Sequence, residues 1–136
     1  DMVETVDSLD LARELDKRCA AAGRTLDVLL EINSGEEDQK AGVRPDGAEA
    51  LLREAAGLTR LRVRGLMTMG PFEGDPEESR PYFRTTRELF ERFRDLGLPG
   101  VEMAVLSMGM SHSYRVAVQE GASRVRIGTA IFGPRA

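Results

Sequence analysis

A chain of 136 residues with 41% hydrophobic content can build one compact core and is too short for two ordinary domains. Its formal charge of −4 comes from 23 acidic and 19 basic residues spread along the length, which excludes a general nucleic-acid surface and leaves only a local anion site. No window approaches the roughly 18 apolar residues of a membrane span, no signal-peptide pattern opens the chain, and the single cysteine, Cys19, excludes an internal disulfide. A cytoplasmic protein with a buried, inert thiol is the expectation.

In chain order, Met2 to Val6 alternates as a short strand, and Asp7-Ser8 is the N-cap of a helix. That helix carries Leu11, Ala12, Leu15, Cys19 and Ala22 at helical spacing and closes at Gly23. Leu26 to Ile32 reads as a strand bounded by the turn-rich Asn33-Ser34-Gly35. A second unit repeats the pattern. Pro45-Asp46 opens a helix with Leu51, Leu52, Ala55 and Ala56, Gly57 closes it, and Leu61 to Met69 forms the next strand.

Asp75-Pro76-Glu77-Glu78 is a strong helix start, because Asp caps, Pro is preset for the first turn and acids favour the positive end of the helix dipole. This helix places Phe83, Phe90, Phe93 and Leu96 on one side. A last strand pair, Ala104 to Ser107 and Arg124 to Ile127, is separated by a short helix from about Ser113 to Glu120. Five strands and four helices in alternation predict a parallel α/β sheet with right-handed crossovers. Either a doubly wound sheet or the second half of an eight-stranded barrel satisfies that pattern, within a single domain spanning 1–136.

In both architectures ligands sit beyond the carboxyl ends of the strands, where Ser107, Gly109, Ser111, Gly128 and Thr129 fall. Glycines let a ligand approach the backbone amides, hydroxyls donate hydrogen bonds, and the helix after Ser111 aims its positive end at the same place. Such a set suits a phosphate. Taken singly, Ser111 as a helix cap and Gly128 as a turn would explain either cluster; their occurrence on consecutive strands favours phosphate. Arg126 shares a face with Gly128 and is placed to meet a ligand or an inward carboxylate such as Glu31. A lone His112 makes no metal site and is expected as an exposed polar residue. The methionines near the strand ends, Met67, Met69, Met103, Met108 and Met110, read as core filler. Lys40, in a solvated loop, is a poor candidate for an amine nucleophile.

The stretches "VDSLDLARELDKR", "LLEINSGEEDQKAGV", "RGLMTMGPF", "RPYFRTTREL", "LSMGMS" and "VRIGTAIFG" resemble the pyridoxal-phosphate homeostasis protein family, which has the alanine racemase N-terminal barrel fold. The resemblance covers nearly the whole chain and implies a (β/α)8 TIM barrel, here approximately strands 4 to 8, that binds pyridoxal 5'-phosphate. It implies that Ser107, Met108, Gly109, Ser111, Gly128 and Thr129 hold the phosphate and that Arg126 faces the pyridine nitrogen, where an arginine weakens the cofactor as an electron sink. The implied role is a non-enzymatic carrier of intracellular vitamin B6, with the cofactor as its small-molecule partner, no catalytic residue, no metal, no nucleic acid and no membrane. The family's Schiff-base lysine lies at the end of the first barrel strand, which precedes the strands expected here.

Two alternatives remain at this point. A racemase-type enzyme needs that lysine and a second acid/base such as a tyrosine, and the tyrosines here, Tyr82 and Tyr114, both lie in helical patterns. An unrelated domain acting on a sugar phosphate would show no preference for a pyridine ring. A half barrel would also expose two strand edges, so self-association of the isolated chain is expected, against a monomer for the complete protein.

Overall fold

A computed structural model describes residues 1–135. Four strands, β1 (Met2–Val6), β2 (Leu26–Ile32), β3 (Leu61–Thr68) and β4 (Val101–Met108), pair in parallel in the order β1-β2-β3-β4. They alternate with α1 (Leu9–Ala21), α2 (Pro45–Ala56) and α3 (Arg80–Leu96), and two short helices follow, α4 (Tyr114–Gln119) and α5 (Thr129–Phe132). The strand order decides between the two expected architectures. A doubly wound sheet reverses direction at a switch point, whereas here every crossover advances one strand the same way. Right-handed crossovers then put α1, α2 and α3 on one face, in contact with their neighbours in turn.

The helix-facing side chains form the core. Val28, Leu30 and Ile32 of β2 pack with Leu61, Val63 and Leu66 of β3 against Leu51, Leu52 and Ala55 of α2 and Phe83 and Phe93 of α3. Residues between them on the strands, Leu29, Glu31, Met67 and Ser107, are also buried but face the other way. That concave face curls strongly. Arg124, beyond β4, forms an ion pair with Glu4 of β1 at 3.4 Å and donates to Met2 Sδ at 3.0 Å. On a flat sheet those positions would lie about 19 Å apart, four strand spacings, beyond the reach of the two side chains. Curvature is helped at Gly65, where a Cβ would stand 1.7 Å from the Val105 carbonyl oxygen, so only glycine allows β4 this close.

Local signals place most boundaries. Ser8 caps α1, its Oγ accepting from the Leu11 amide at 3.2 Å, while Asp7 turns away to accept from the Gly42 amide. Asp75 Oδ1 accepts from the Glu77 amide at 2.9 Å and starts a single 3-10 turn, Pro76–Ser79, before α3 begins at Arg80. The fifth strand expected at Arg124 to Ile127 is a correction. It is a single parallel bridge, Ser107 to Arg124, because Gly109 turns β4 away at φ +95° after its carbonyl accepts from the Arg126 amide. Cys19 is half-buried rather than buried, since it sits at the edge of the α1 stripe.

Candidate functional site

The carboxyl ends of β3 and β4 open onto a cavity of about 710 Å³, within the usual range for small-molecule sites. Three stretches wall it: Met69 and Phe72 after β3, Met110 to His112 after β4, and Arg126 with Gly128 to Ala130 leading into α5, with Arg135 at the rim. No carboxylate is among these lining residues.

Ser111 organises one end. Its Oγ accepts from the amides of Gly128 and Ala130, both at 3.1 Å, and so ties the loop after β4 to the start of α5. With both lone pairs engaged, the hydroxyl has its proton left to donate to a ligand oxygen. Ser111 is thus not the cap of α4. Ser113 occupies that position, and the amides of Ser113 and Tyr114 both donate to the Met110 carbonyl, so this helix end is closed on itself rather than aimed at an anion.

Arg126 holds the opposite wall. Its guanidinium donates to Ser107 Oγ through Nη1 and, through Nη2, to the Thr68 carbonyl at 2.8 Å and Met69 Sδ at 3.3 Å. Nε is buried without a partner among the described residues. Burial lowers the guanidinium pKa from its ordinary value, and the negative fields of Glu4 and Glu31 offset this. No direct ion pair joins Arg126 to Glu31. The Glu31 carboxyl is raised by its own burial and by Asp7, and Arg126 counters in part.

Of the seven residues expected in the site, Ser111, Arg126, Gly128 and Thr129 line the cavity. Ser107 is fully buried beneath it and acts on Arg126. The Met108 side chain lies on the opposite, helix-facing side in the core, one residue out of phase with Ser107. Gly109 lets α4 pack closely, since a Cβ there would meet Ala117 Cβ at 2.6 Å. Sequence reasoning missed Phe72, Arg135 and Ala130 and read Met69 and Met110 as core filler, although both line the cavity. His112 is a further correction: it is half-buried, lines the cavity, and has a buried Nε2. Lys40, expected in solvent, pairs with Glu37 at 2.8 Å and lies over the rings of Phe72 and Tyr82 at 5.8 and 5.9 Å.

The Ser111 and Thr129 hydroxyls, the Arg126 guanidinium and apolar sides without a carboxylate form a lining that fits a phosphate ester on a flat polar ring.

The sequence pattern of the alanine racemase N-terminal domain family matches residues 1–136. The chain belongs to that family. Among members of this alanine racemase N-terminal domain family, the pyridoxal phosphate homeostasis protein of Aquifex aeolicus is 42% identical over 137 residues, covering 98% of this chain and 58% of that protein. The protein of the same name from Mus musculus is 39% identical over 142 residues, covering 98% and 50%. The chain spans a little over half the length of the curated relatives it matches. PipY of Synechococcus elongatus, solved with pyridoxal phosphate bound, aligns with a TM-score of 0.84 and 32% identity over 98% of this chain and 61% of its own. Alanine racemase from Corynebacterium glutamicum, at 19% identity and a TM-score of 0.75, shows the shared fold alone. These findings bear out the family resemblance expected from the sequence and the α/β fold as part of the alanine racemase N-terminal barrel.

Proposed function

We propose that this chain supplies the phosphate- and ring-binding wall of a pyridoxal 5'-phosphate carrier that serves vitamin B6 homeostasis in the cytoplasm and catalyses no reaction of its own. The observation that carries the reading is the carboxylate-free cavity lined by Ser111, Thr129 and Arg126, with Ser111 braced by the Gly128 and Ala130 amides. The names of the relatives and the cofactor bound in PipY point the same way. Ser111, Gly128, Thr129 and the nearby backbone would hold the phosphate. Ser107 would fix Arg126 toward the ring nitrogen, with Met108 and Gly109 shaping the strand end.

The bound cofactor brings an electrophilic aldehyde and an electron-accepting ring. Beside it a permanently charged guanidinium keeps the ring nitrogen unprotonated, which suits storage better than carbanion chemistry. In this reading the four strands and the Arg124 bridge correspond to strands 4 to 8 of a (β/α)8 barrel that is a monomer when complete, while its isolated second half self-associates. Titrating the intact protein with pyridoxal phosphate and with unphosphorylated pyridoxal tests the reading. Preference for the phosphate is expected, and equal affinity or no binding would overturn it.

A further inference from the structure

The Arg126 guanidinium rests, through Nη2, on a backbone carbonyl that no side-chain change removes, that of Thr68 at 2.8 Å. Thr68 is the last residue of β3, so the place of that carbonyl depends on how firmly the strand end is pinned. Strand alternation turns the Thr68 side chain to the helix side, opposite to Met67, and it is fully buried there. Its Oγ1 donates at 2.8 Å to the carbonyl of Ile32, the residue that pairs with it on β2. A hydroxyl has one proton to give, so the 2.7 Å contact with Ser34 Oγ is a bond that Ser34 donates and Thr68 accepts. One directed chain of hydrogen bonds thus runs from the loop after β2, through the end of β3, back to the end of β2. Neither Ser34 nor Thr68 is among the described residues that line the cavity.

We propose that Thr68 is a positioning residue for Arg126, supported by Ser34: the hydroxyl chain fixes the end of β3, and through the Thr68 carbonyl it fixes where the guanidinium meets the ring of a bound ligand. The inference rests on the pyridoxal phosphate reading above and adds to it two residues that touch no ligand. Met69, the next residue, also meets Arg126, through Sδ at 3.3 Å, so two consecutive residues at the pinned end hold the guanidinium. Ser107 takes Nη1 from β4, and Thr68 pairs with Met108 beside it, so the same rung joins β2, β3 and β4 under Arg126. Because the guanidinium is a rigid planar fork, displacing the acceptors on one side turns the whole plane. Hydroxyls linked in series away from water polarise and strengthen one another, and an apolar side chain in place of Thr68 would leave the Ile32 carbonyl and the Ser34 hydroxyl without these partners.

The test is a double-mutant cycle on the intact protein, titrated with pyridoxal phosphate and with pyridoxal. Thr68→Val keeps the shape of the side chain and removes only its hydroxyl chemistry. It should weaken both compounds about three- to tenfold in the wild-type background and less than about twofold once Arg126→Lys is present. Thr68→Ser, which restores the hydroxyl, should bind both within about twofold of wild type. Ser34→Ala keeps the Thr68 bond to Ile32, so it should show the same dependence on Arg126 at about two- to threefold and serves if Thr68→Val fails to fold. A hydroxyl that only stabilised the strand would lower the urea midpoint and leave both affinities of the folded protein unchanged. That result would overturn the positioning role and leave the cofactor reading standing, as would equal losses in both Arg126 backgrounds, no rescue by serine, or a loss confined to pyridoxal phosphate. Absence of pyridoxal phosphate binding by wild type, or equal binding of pyridoxal, would overturn both.

Discussion

The amide of Gly128 donates to Ser111 Oγ at 3.1 Å and joins the loop after β4 to the turn that enters α5. The Ala130 amide makes the same contact, so one hydroxyl sets the spacing between two segments that line the cavity. Ser111→Ala removes that brace and the hydroxyl proton offered to the phosphate. Affinity for pyridoxal phosphate should fall about tenfold, the worth of one charge-assisted hydrogen bond, while affinity for pyridoxal stays within about twofold. Parallel titrations with the two compounds measure the split.

Arg126 should behave differently, because its expected partner is the ring. Arg126→Lys keeps a positive charge but cannot reach Ser107 Oγ, the Thr68 carbonyl and Met69 together, as the planar fork does. Both pyridoxal phosphate and pyridoxal should bind about tenfold or more weakly, with a loss of about 1–3 kcal/mol in stability from the buried partners left unpaired. Retained affinity for both compounds would favour a site that ignores the pyridine ring.

Glu120, at the end of α4, accepts from Arg80 at 2.8 Å and Arg84 at 3.1 Å and lies 3.3 Å from Arg87. The hydrogen bond from Arg80 holds its carboxyl below the ordinary carboxylate value; burial opposes this, and Arg84 and Arg87 reinforce it. Because the folded value is lowered, the stabilisation is complete above the unfolded carboxylate value and is lost as pH falls through the folded one. Glu120→Gln should cost about 1–3 kcal/mol at neutral pH, with the gap to wild type closing in acid. Urea unfolding at neutral and acidic pH reads both.

Glu31 carries the opposite sign. Its folded value is raised, by burial first and then by Asp7, so the folded state holds the proton more tightly than the unfolded chain. Stability therefore falls as pH climbs from the ordinary carboxylate value of 4.5 through the raised one. Glu31→Gln should be more stable than wild type at neutral pH and equal to it below that window, as measured by thermal unfolding in matched buffers.

Legibility in the sequence followed the physical source of each signal. The bounds of β1 and β2 match the alternation of Met2 to Val6 and Leu26 to Ile32, and Gly57 closes α2. Those features are local. The parallel order β1 to β4 was among the patterns allowed by βα alternation, but the direction of the crossovers depends on tertiary packing and could not be chosen from periodicity. Arg124 to Ile127 has strand-like residues, yet pairing needs a straight neighbour, and Gly109 bends β4 away. Ser111, Gly128 and Thr129 could be found because donors at strand ends form a chemical pattern. Phe72 and Arg135 carry no such pattern. Met108 was carried into the site by its neighbours in "LSMGMS", although strand alternation puts its side chain on the other face from Ser107.

Every residue that lines the cavity falls between Met69 and Arg135, while β1, β2, α1 and α2 lie wholly before that span. During synthesis β1, β2, α1 and α2 can therefore pair and pack before any of these lining residues has emerged. A ligand held by these residues cannot template that folding. It can act only afterwards, by mass action on the finished sheet, so its absence should leave the chain able to fold and merely less resistant to unfolding.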